Sequence, residues 1–377
     1  MADPIRIVEV EPGSPEEKEF ISLPFTIYRH NSRYVPWFKK QMKNILARRH
    51  PYFEHSDGEF FIALRNKETV GRIALLEPRR YNDYHRCRDG RFYFFDAKDD
   101  LEASRALFRH AEEWARARNL TRLIGPQGFS SFSGAGILID GFEHTASMTM
   151  MPYHFPYYRE LMESCGFVKH KDFYSAKIDA RSQTLPVKYQ RIAEITLKRG
   201  RFTVPSLQSK KELKKLAAEV GHIYNSSWGE HDDFTPLTEG ELEQIREELL
   251  HVSEPSLVKV IRSGREVAGF VLAFPDLSRV MQKSRGRLNP YILYRMLKEK
   301  KKAEHFIING LGILPEHRRT GGIAVLFNEI TKSLREHGVK TAELTQIAET
   351  TDLMMSNIGK LNAKIYKTHR VYQKPVG

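Results

Sequence analysis

The chain has 377 residues, of which 41% are hydrophobic and 28% are charged, proportions that are ordinary for a soluble globular protein of two domains. Its formal net charge of +13 is not ordinary, and it favours anionic partners such as nucleic acid, an anionic membrane surface or a phosphate-bearing co-substrate. Two distant cysteines without a Cys/His cluster exclude a disulfide framework and indicate no metal site, so we expect a reducing, cytoplasmic location.

The opening residues lack the apolar segment of a signal peptide, and no run of 18 apolar residues predicts a membrane-spanning helix. Residues 38–49 have helical spacing, with an apolar face and basic residues elsewhere. The apolar residues are Phe38, Met42, Ile45 and Leu46, and the basic ones are Lys39, Lys40, Lys43, Arg48 and Arg49. Such a helix either lies on the inner face of an anionic membrane or packs on its own domain, and both alternatives stay open.

Two segments of equal length, residues 60–78 and 257–275, resemble each other and predict β-hairpins. Each alternates apolar residues around a tight polar turn and ends in a proline, Pro78 or Pro275. A later predicted helix in each half contains a Leu-Phe pair. We therefore predict an internal duplication.

The duplication predicts a first domain over residues 1–180, a linker over 181–205 and a second domain over 206–377. Where the second copy has residues 318–322, which are basic and glycine-rich, the first has three aspartates within residues 96–100. Carboxylates at that position repel anions, so we predict no cofactor site in the first copy.

Residues 148–158 form an uncharged run of methionine and aromatic side chains. Such adaptable side chains suit an apolar ligand groove, and packing between the two halves is the alternative. The candidate substrate-binding residues are Met148, Met150, Met151, Tyr153, Tyr157 and, from a later aromatic position, Trp228.

Residues 311–338 combine an apolar run, a basic glycine loop and an amphipathic segment, which predicts a strand, an anion-binding loop and a helix beginning near Gly321. No Lys-Ser/Thr pair follows the glycines and no GxGxxG occurs, so a P-loop and a dinucleotide fingerprint are excluded.

The string from Arg319 to Ala324, R-x-x-G-x-A, resembles the acyl-CoA pyrophosphate loop of the GNAT superfamily of N-acyltransferases. The resemblance implies an α/β fold with mixed sheets (α+β) and two tandem GNAT-like domains, the first degenerate. It also implies an acyl-CoA co-substrate and no metal. The implied cofactor-binding residues are Gly312, Ile313, Leu314, Arg318, Arg319, Thr320, Gly321, Gly322, Ile323 and Ala324.

Amide formation from a thioester needs a base for the amine and an acid for the leaving thiolate. Glu343 and Glu349 are the candidate bases, on a predicted strand where alternation places them on one face. Ile358 stands where many GNAT enzymes have a tyrosine acid, so we consider Tyr366, or Tyr372, as its replacement.

The segments 224–228 and 140–142, the methionine run and the C-terminal YKTHRVYQK make the chain similar to a bacterial group of duplicated GNAT proteins that includes bacterial ceramide synthases. This resemblance implies fatty acyl transfer to the amine of a long-chain base. Three alternatives stay open: an acetyl- or aminoacyl-transferase with a soluble polar amine as acceptor, a non-catalytic acyl-CoA-binding protein, and, because of the charge, a nucleic-acid-binding protein. No nucleic acid is expected, because the basic residues follow no nucleic-acid-binding pattern.

Overall fold

The structure is a computed structural model that describes residues 3–130, 133–181, 185–207, 209–227 and 234–377. Its strands form one twelve-stranded mixed sheet. The strands are β1 (Arg6–Glu9), β2 (Asp57–Arg65), β3 (Glu68–Glu77), β4 (Asp89–Ala97), β5 (Arg122–Gly125), β6 (Ile137–Asp140), β7 (Val168–Asp179), β8 (Val258–Ser263), β9 (Glu266–Pro275), β10 (His305–Ile313), β11 (Thr341–Ala348) and β12 (Lys364–Pro375).

Helices cover both faces of this sheet. They are α1 (Pro15–Ile27), α2 (Lys39–Leu46), α3 (Arg79–His85), α4 (Leu101–Ala117), α5 (Tyr157–Ser164), α6 (Val187–Lys198), α7 (Lys210–Ser227), α8 (Glu239–Val252), α9 (Ser278–Ser284), α10 (Pro290–Lys302), α11 (Gly322–Glu336) and α12 (Asp352–Lys360). Within the described ranges, no helix has the length and apolar content needed to cross a bilayer.

The sheet consists of two similar series of strands that exchange their last members. Its order is β1-β2-β3-β4-β5-β12-β7-β11-β10-β9-β8, with β6 paired to β12. In each series an antiparallel hairpin leads to a parallel pair, β4 with β5 or β10 with β11. The next strand comes from the other half, because β12 pairs with β5 and β7 pairs with β11. The two halves therefore share one continuous sheet.

Both predicted hairpins are confirmed as β2–β3 and β8–β9. In the first, the turn residues Asn66 and Lys67 have φ of 49° and 67°, the left-handed conformation that tight hairpin turns require. In the second, Gly264 takes a φ of 61° without a side-chain penalty.

The layers repeat in the two halves. In the first, α4 packs on one sheet face with side chains such as Leu107 and Phe108, while α1 and α2 cover the other. In the second, α11 buries Leu326 and Phe327 on one face, and α7 covers the opposite face. The repeated arrangement follows from the repeated alternation of apolar residues in the strands.

Helix α2 resolves the alternatives left open for residues 38–49. Met42, Ile45 and Leu46 are buried in the core formed with β2 and β3, so the apolar face packs on its own half. Residues assigned to the linker also form structure, because α6 packs against α11 through Ile192 and Tyr189. The sequence contains no signal that distinguishes this helix from a connecting segment.

Candidate active site

A gap separates β10 from β11 beyond the short stretch over which the two strands pair. The two strands pair in parallel only from His305 to Ile308, opposite residues 341–344. A bulge at Asn309 and Gly310, where Gly310 has a φ of 99°, shifts β10 along β9. Strand β11 instead continues beside β7 to Ala348. The unpaired edges of the strands leave room for an extended ligand.

Helix α11 begins at the mouth of this gap, as the sequence predicted. Gly321, with a φ of 91°, precedes the first helical residue, Gly322, and no side chain caps the helix. The first N–H groups of an α-helix have no intrahelical partner, and the helix dipole is positive there. Arg319 is exposed at the same end. This helix end can therefore accept an anionic phosphate group.

Two glycines at this site are required by close packing. A side chain at Gly312 would meet the ring of Phe270, and one at Gly322 would meet Ile313 and Ile261. Gly312 therefore keeps the backbone of β10 bare on the face toward Phe270, and Gly322 lets the helix start approach the sheet closely. Ile313 and Leu314 are buried beside them.

A polar cluster lies on β11 and β12 next to the gap. Ser147 Oγ donates to Glu343 Oε1 at 2.5 Å, and the ammonium of Lys367 lies 3.2 Å from the same oxygen. The side chain of Lys367 is 1% exposed, and Lys367 Nζ also donates to the carbonyl of Thr145 at 3.1 Å. A buried charge needs such partners, because desolvation without them is costly.

Tyr366 belongs to the same cluster. Burial and the neighbouring Glu343 carboxylate, with which its hydroxyl also hydrogen-bonds, raise the pKa of Tyr366 well above its usual value. The ring lies 4.7 Å from that of His144. Tyr366 is therefore a protonated hydroxyl donor across the physiological pH range.

Asp276 lies near the cluster, just after β9. Its carboxylate accepts hydrogen bonds from the backbone N–H of Ser278 at 2.9 Å and from Ser278 Oγ at 2.5 Å. Burial raises the pKa of Asp276, and the nearby Glu343 carboxylate raises it further.

Glu349 lies elsewhere, and the prediction that it shares a face with Glu343 is wrong. One extra residue in β11 between Leu344 and Ile347 forms a bulge, at which Gln346 has a φ of 55°. A one-residue shift reverses the alternation of side chains beyond it, so the two glutamates point to opposite faces of the sheet.

The contacts of Glu349 are those of a structural carboxylate. It forms an ion pair with Lys169 at 2.7 Å and accepts the backbone N–H of Asp172 at 3.1 Å. Tyr372, the alternative acid, is 1% exposed in the core of the first half, and burial raises its pKa to about 12. Ile358 is buried in the core beneath α11, as an apolar residue should be.

In the methionine and aromatic run, residues 148–158, some side chains pack in a core and one reaches the gap. Tyr153 and Met151 are buried, and Met148 and Tyr157 pack on the core of the first half. The hydroxyl of Tyr157 donates to the carbonyl of Ala97 at 2.9 Å. These four are packing residues by their contacts. Trp228 lies outside the described residues.

Met150 is the member of the run that reaches the gap. Its sulfur lies 3.0 Å from Asn309 Nδ2, which also donates to Gln346 Oε1 at 2.7 Å. Gln346 Nε2 in turn donates to the carbonyl of Ser133 at 2.8 Å. A loop of the first half thus covers the bulges of both strands that border the gap.

Sequence reasoning missed several residues of this site. They are Ser133, Ser147, Asp276, Ser278, Asn309, Gln346 and Lys367. Only Lys367 had a usable signal, because a lysine within a strand of alternating burial is unusual unless it has a partner.

An apolar cavity, open at its mouth, lies between α7, α8 and the sheet and adjoins the gap. Its walls include Leu216 of α7 and Leu242 of α8, and its floor includes Phe270 and Leu272 of β9. The same two floor residues are those that a side chain at Gly310 or Gly312 would meet. The cavity and the gap are therefore neighbours.

The arrangement brings together the groups that acyl transfer needs: a carboxylate acceptor, a hydroxyl donor and an anion-binding helix end. Among the described residues, no group of three His, Cys, Asp or Glu side chains is placed to hold a metal ion.

The chain is similar to known proteins over nearly its whole length. The chain is 27% identical over 374 residues to bacterial ceramide synthase of Caulobacter vibrioides (strain NA1000 / CB15N), covering 95% of the chain and 94% of that protein. It is 22% identical over 367 residues to Protein YghO of Escherichia coli (strain K12), covering 95% and 93%. No protein-family model matches the chain.

Among solved structures, a tandem GNAT protein from the clavulanic acid biosynthesis pathway superposes with a TM-score of 0.56 at 13% identity, over 99% of both chains. At this identity the likeness concerns the fold, and it confirms the predicted tandem arrangement of mixed α/β halves. The chain therefore has the fold of a tandem GNAT protein, and it is similar along nearly its whole length to bacterial ceramide synthase.

Proposed function

We propose that the protein transfers a fatty acyl group from acyl-CoA to the amine of a long-chain sphingoid base. The observation that carries the proposal is the open gap between β10 and β11, with the uncapped start of α11 at its mouth and Glu343 at its base. The whole-length similarity to bacterial ceramide synthase supports the choice of acceptor.

In this proposal the pyrophosphate of acyl-CoA binds the N–H groups of residues 319–324, and Arg318 and Arg319 add positive charge. The pantetheine arm lies along Gly312, Ile313 and Leu314, where β10 has no partner on its β11 side. Acyl-CoA is thus a co-substrate of the second half, residues 206–377. The first half, residues 1–180, covers the acceptor side of the gap.

Catalysis follows from the polar cluster. Glu343 accepts the proton of the attacking amine, and the Lys367 ammonium, 3.2 Å away, stabilises its charge by attraction. Tyr366 keeps its proton and donates a hydrogen bond that stabilises the leaving thiolate, the role for which Ile358 is unsuited. Glu343 acts from the face of the sheet on which Phe270 lies opposite Gly312.

The test is to incubate the purified protein with acyl-CoAs of graded chain length and either sphinganine or short polar amines. Mass spectrometry should detect N-acylsphinganine that forms faster with long acyl donors. Products with polar amines alone would favour a soluble acceptor, and binding of acyl-CoA without any amide would favour a non-catalytic protein.

A further inference from the structure

We propose that the cavity between α7, α8 and the sheet holds the hydrocarbon chain of the acyl donor. The inference rests on the proposed acyl transfer. It adds the place where the hydrocarbon chain lies and the residues that limit the length of that hydrocarbon chain.

The walls of the cavity are apolar nearly throughout. Aliphatic side chains come from both helices and from β8 and β9, and Phe270 closes the floor. Such a surface suits a hydrocarbon, since each methylene removed from water contributes to binding.

The cavity and the catalytic carboxylate lie on one face of the sheet. In the ladder of β9 and β10, Phe270 is opposite Gly312 and Phe274 is opposite Ile307. Ile307 is in turn the parallel partner of Glu343. Residues opposite each other in neighbouring strands share a face, so a thioester beside Glu343 directs its chain toward Phe270 and Leu272.

Two glycines of β10 bring the cavity floor against the gap. A side chain at Gly310 would lie 3.2 Å from Leu272, and one at Gly312 would lie 2.6 Å from Phe270. Without side chains at both positions, Phe270 and Leu272 pack directly on the backbone of β10, so the cavity floor lies against the edge of the gap.

Leu216→Trp, which fills the cavity from α7, should lower kcat/KM for palmitoyl-CoA about tenfold or more relative to kcat/KM for butyryl-CoA. The ratio is insensitive to partial loss of folded protein, and Leu216→Met is the matched control that keeps the volume. Leu242→Trp approaches from the opposite wall and serves if the first variant does not fold. Equal effects on both donors would overturn the proposal.

A binding measurement that requires no acyl transfer tests this inference separately from the proposed function. A fluorescent long-chain fatty acid should bind the wild-type protein and bind Leu216→Trp at least about tenfold more weakly. If no acyl-CoA yields an amide but this binding difference is seen, the proposed function fails and the cavity assignment stands. Equal binding to both proteins would overturn the cavity assignment.

A different observation carries a second inference: we infer that α10 docks on an anionic lipid bilayer. Half of the ten large hydrophobic residues exposed in the described part of the chain lie in residues 288–297. They are Leu288, Tyr291, Leu293, Tyr294 and Leu297, between 45% and 62% exposed.

The opposite side of α10 is anchored to the protein. Ile292 is buried, and Lys300 donates to the carbonyl of Ser253 at 2.8 Å. The exposed apolar face is therefore turned outward by fixed contacts. Tyrosine and leucine beside basic residues are the composition of helices that lie in a membrane interface.

Basic residues surround this face. Arg285, Arg287, Lys298, Lys301 and Lys302 are exposed within or next to α10. The start of α2 adjoins it, since the N–H of Lys39 donates to the carbonyl of Gly286 at 2.8 Å, and Lys40 is exposed there. This concentration of positive charge complements anionic lipid headgroups. Helix α9 links the surface to the polar cluster through Ser278.

Flotation with vesicles tests this inference. Wild-type protein should float with phosphatidylglycerol-containing vesicles, less so at high salt and little with phosphatidylcholine alone. The double variant Leu293→Glu/Leu297→Glu should lose flotation, whereas Val187→Glu, the same change at a 77% exposed residue of α6, should not. Flotation unchanged by the double variant, or absent from the wild type, would overturn the inference.

Discussion

Helices α4 and α11 occupy corresponding positions in the two halves, each after the first strand of a parallel pair. At the start of α4, the carboxylate of Asp100 accepts the N–H of Ala103 at 3.0 Å and pairs with Arg65 at 3.0 Å. At the start of α11, Gly321 offers no side chain. One helix end is satisfied by the protein itself, and the other is left for a ligand.

The two strands that precede these helices, β4 and β10, also differ in the side chains that they carry. In the first half, a bulge near Phe94 precedes Asp96. The carboxylate of Asp96 is buried and pairs with Arg72 at 2.7 Å. Beside it, the hydroxyls of Tyr28 and Tyr158 lie 3.0 Å apart. In the second, Gly310 and Gly312 place no side chain at the end of β10. A duplicated frame can thus keep one site for a ligand and fill the other with side chains.

The largest effect should come from Glu343→Gln, which removes the proposed base and leaves the shape of the gap. We expect kcat to fall by about 10²–10⁴-fold, because a neutral amide cannot accept the proton. Steady-state rates of amide formation measure this. Glu349→Gln is the matched control and should change kcat little; a similar loss in both variants would contradict the assignment of the base.

Arg319→Glu should weaken acyl-CoA binding by about 10- to 100-fold, the equivalent of one charge-assisted contact to phosphate. The same substitution at Arg335, exposed at the other end of α11, should leave the affinity nearly unchanged. Calorimetric titration with acyl-CoA gives both values. Equal losses would mean that general charge, rather than the helix start, attracts the ligand.

The filled site of the first half should respond to alkaline pH. Burial raises the pKa of Tyr28 and of Tyr158 well above that of an exposed tyrosine, and the charge of Asp96 contributes. Above pH 10 the unfolded chain therefore releases protons that the folded protein keeps. The free energy of unfolding should be level below pH 10 and then fall, by up to about 1.4 kcal/mol per pH unit for each tyrosine.

Urea denaturation between pH 8 and pH 11 measures this slope. Tyr28→Phe should reduce it by about one proton, and Tyr84→Phe, at a 49% exposed residue, is the control. A slope that is the same in the wild type and Tyr28→Phe would show that Tyr28 does not titrate with folding.

The smallest effect should come from Asp100→Ala, which removes the cap of α4. The free energy of unfolding should fall by about 1 kcal/mol, and Asp100→Asn should restore most of it. Neither substitution should alter acyl-CoA affinity. A gain of a second acyl-CoA site in Asp100→Ala would mean that the carboxylate alone blocks the first half.

Local features of the second half could be predicted from the sequence because they depend on neighbouring residues. The hairpins, the strand and the start of α11 follow from alternation, turn residues and helix spacing. The pairing of Glu343 with Tyr366 could be expected only in outline, since it depends on β11 and β12 lying on either side of β7.

The remaining features depend on tertiary structure. The bulge at Gln346 adds one residue to β11 and so turns Glu349 to the opposite face of the sheet. No residue type in the segment predicts a bulge there. Ser147 and Asn309 join the site because β7 and β12 exchange between halves and bring a first-half loop over the gap. The aspartates of residues 96–100 carry a prediction that needs no knowledge of the fold, because a charge of the same sign as the ligand's repels the ligand.

The most direct test of the contrast between α4 and α11 is a calorimetric titration of the wild-type protein with a long-chain acyl-CoA. We expect one site per chain, which Arg319→Glu abolishes or greatly weakens and Asp100→Asn leaves unchanged. Two equivalent sites, or a single site insensitive to Arg319→Glu, would contradict it.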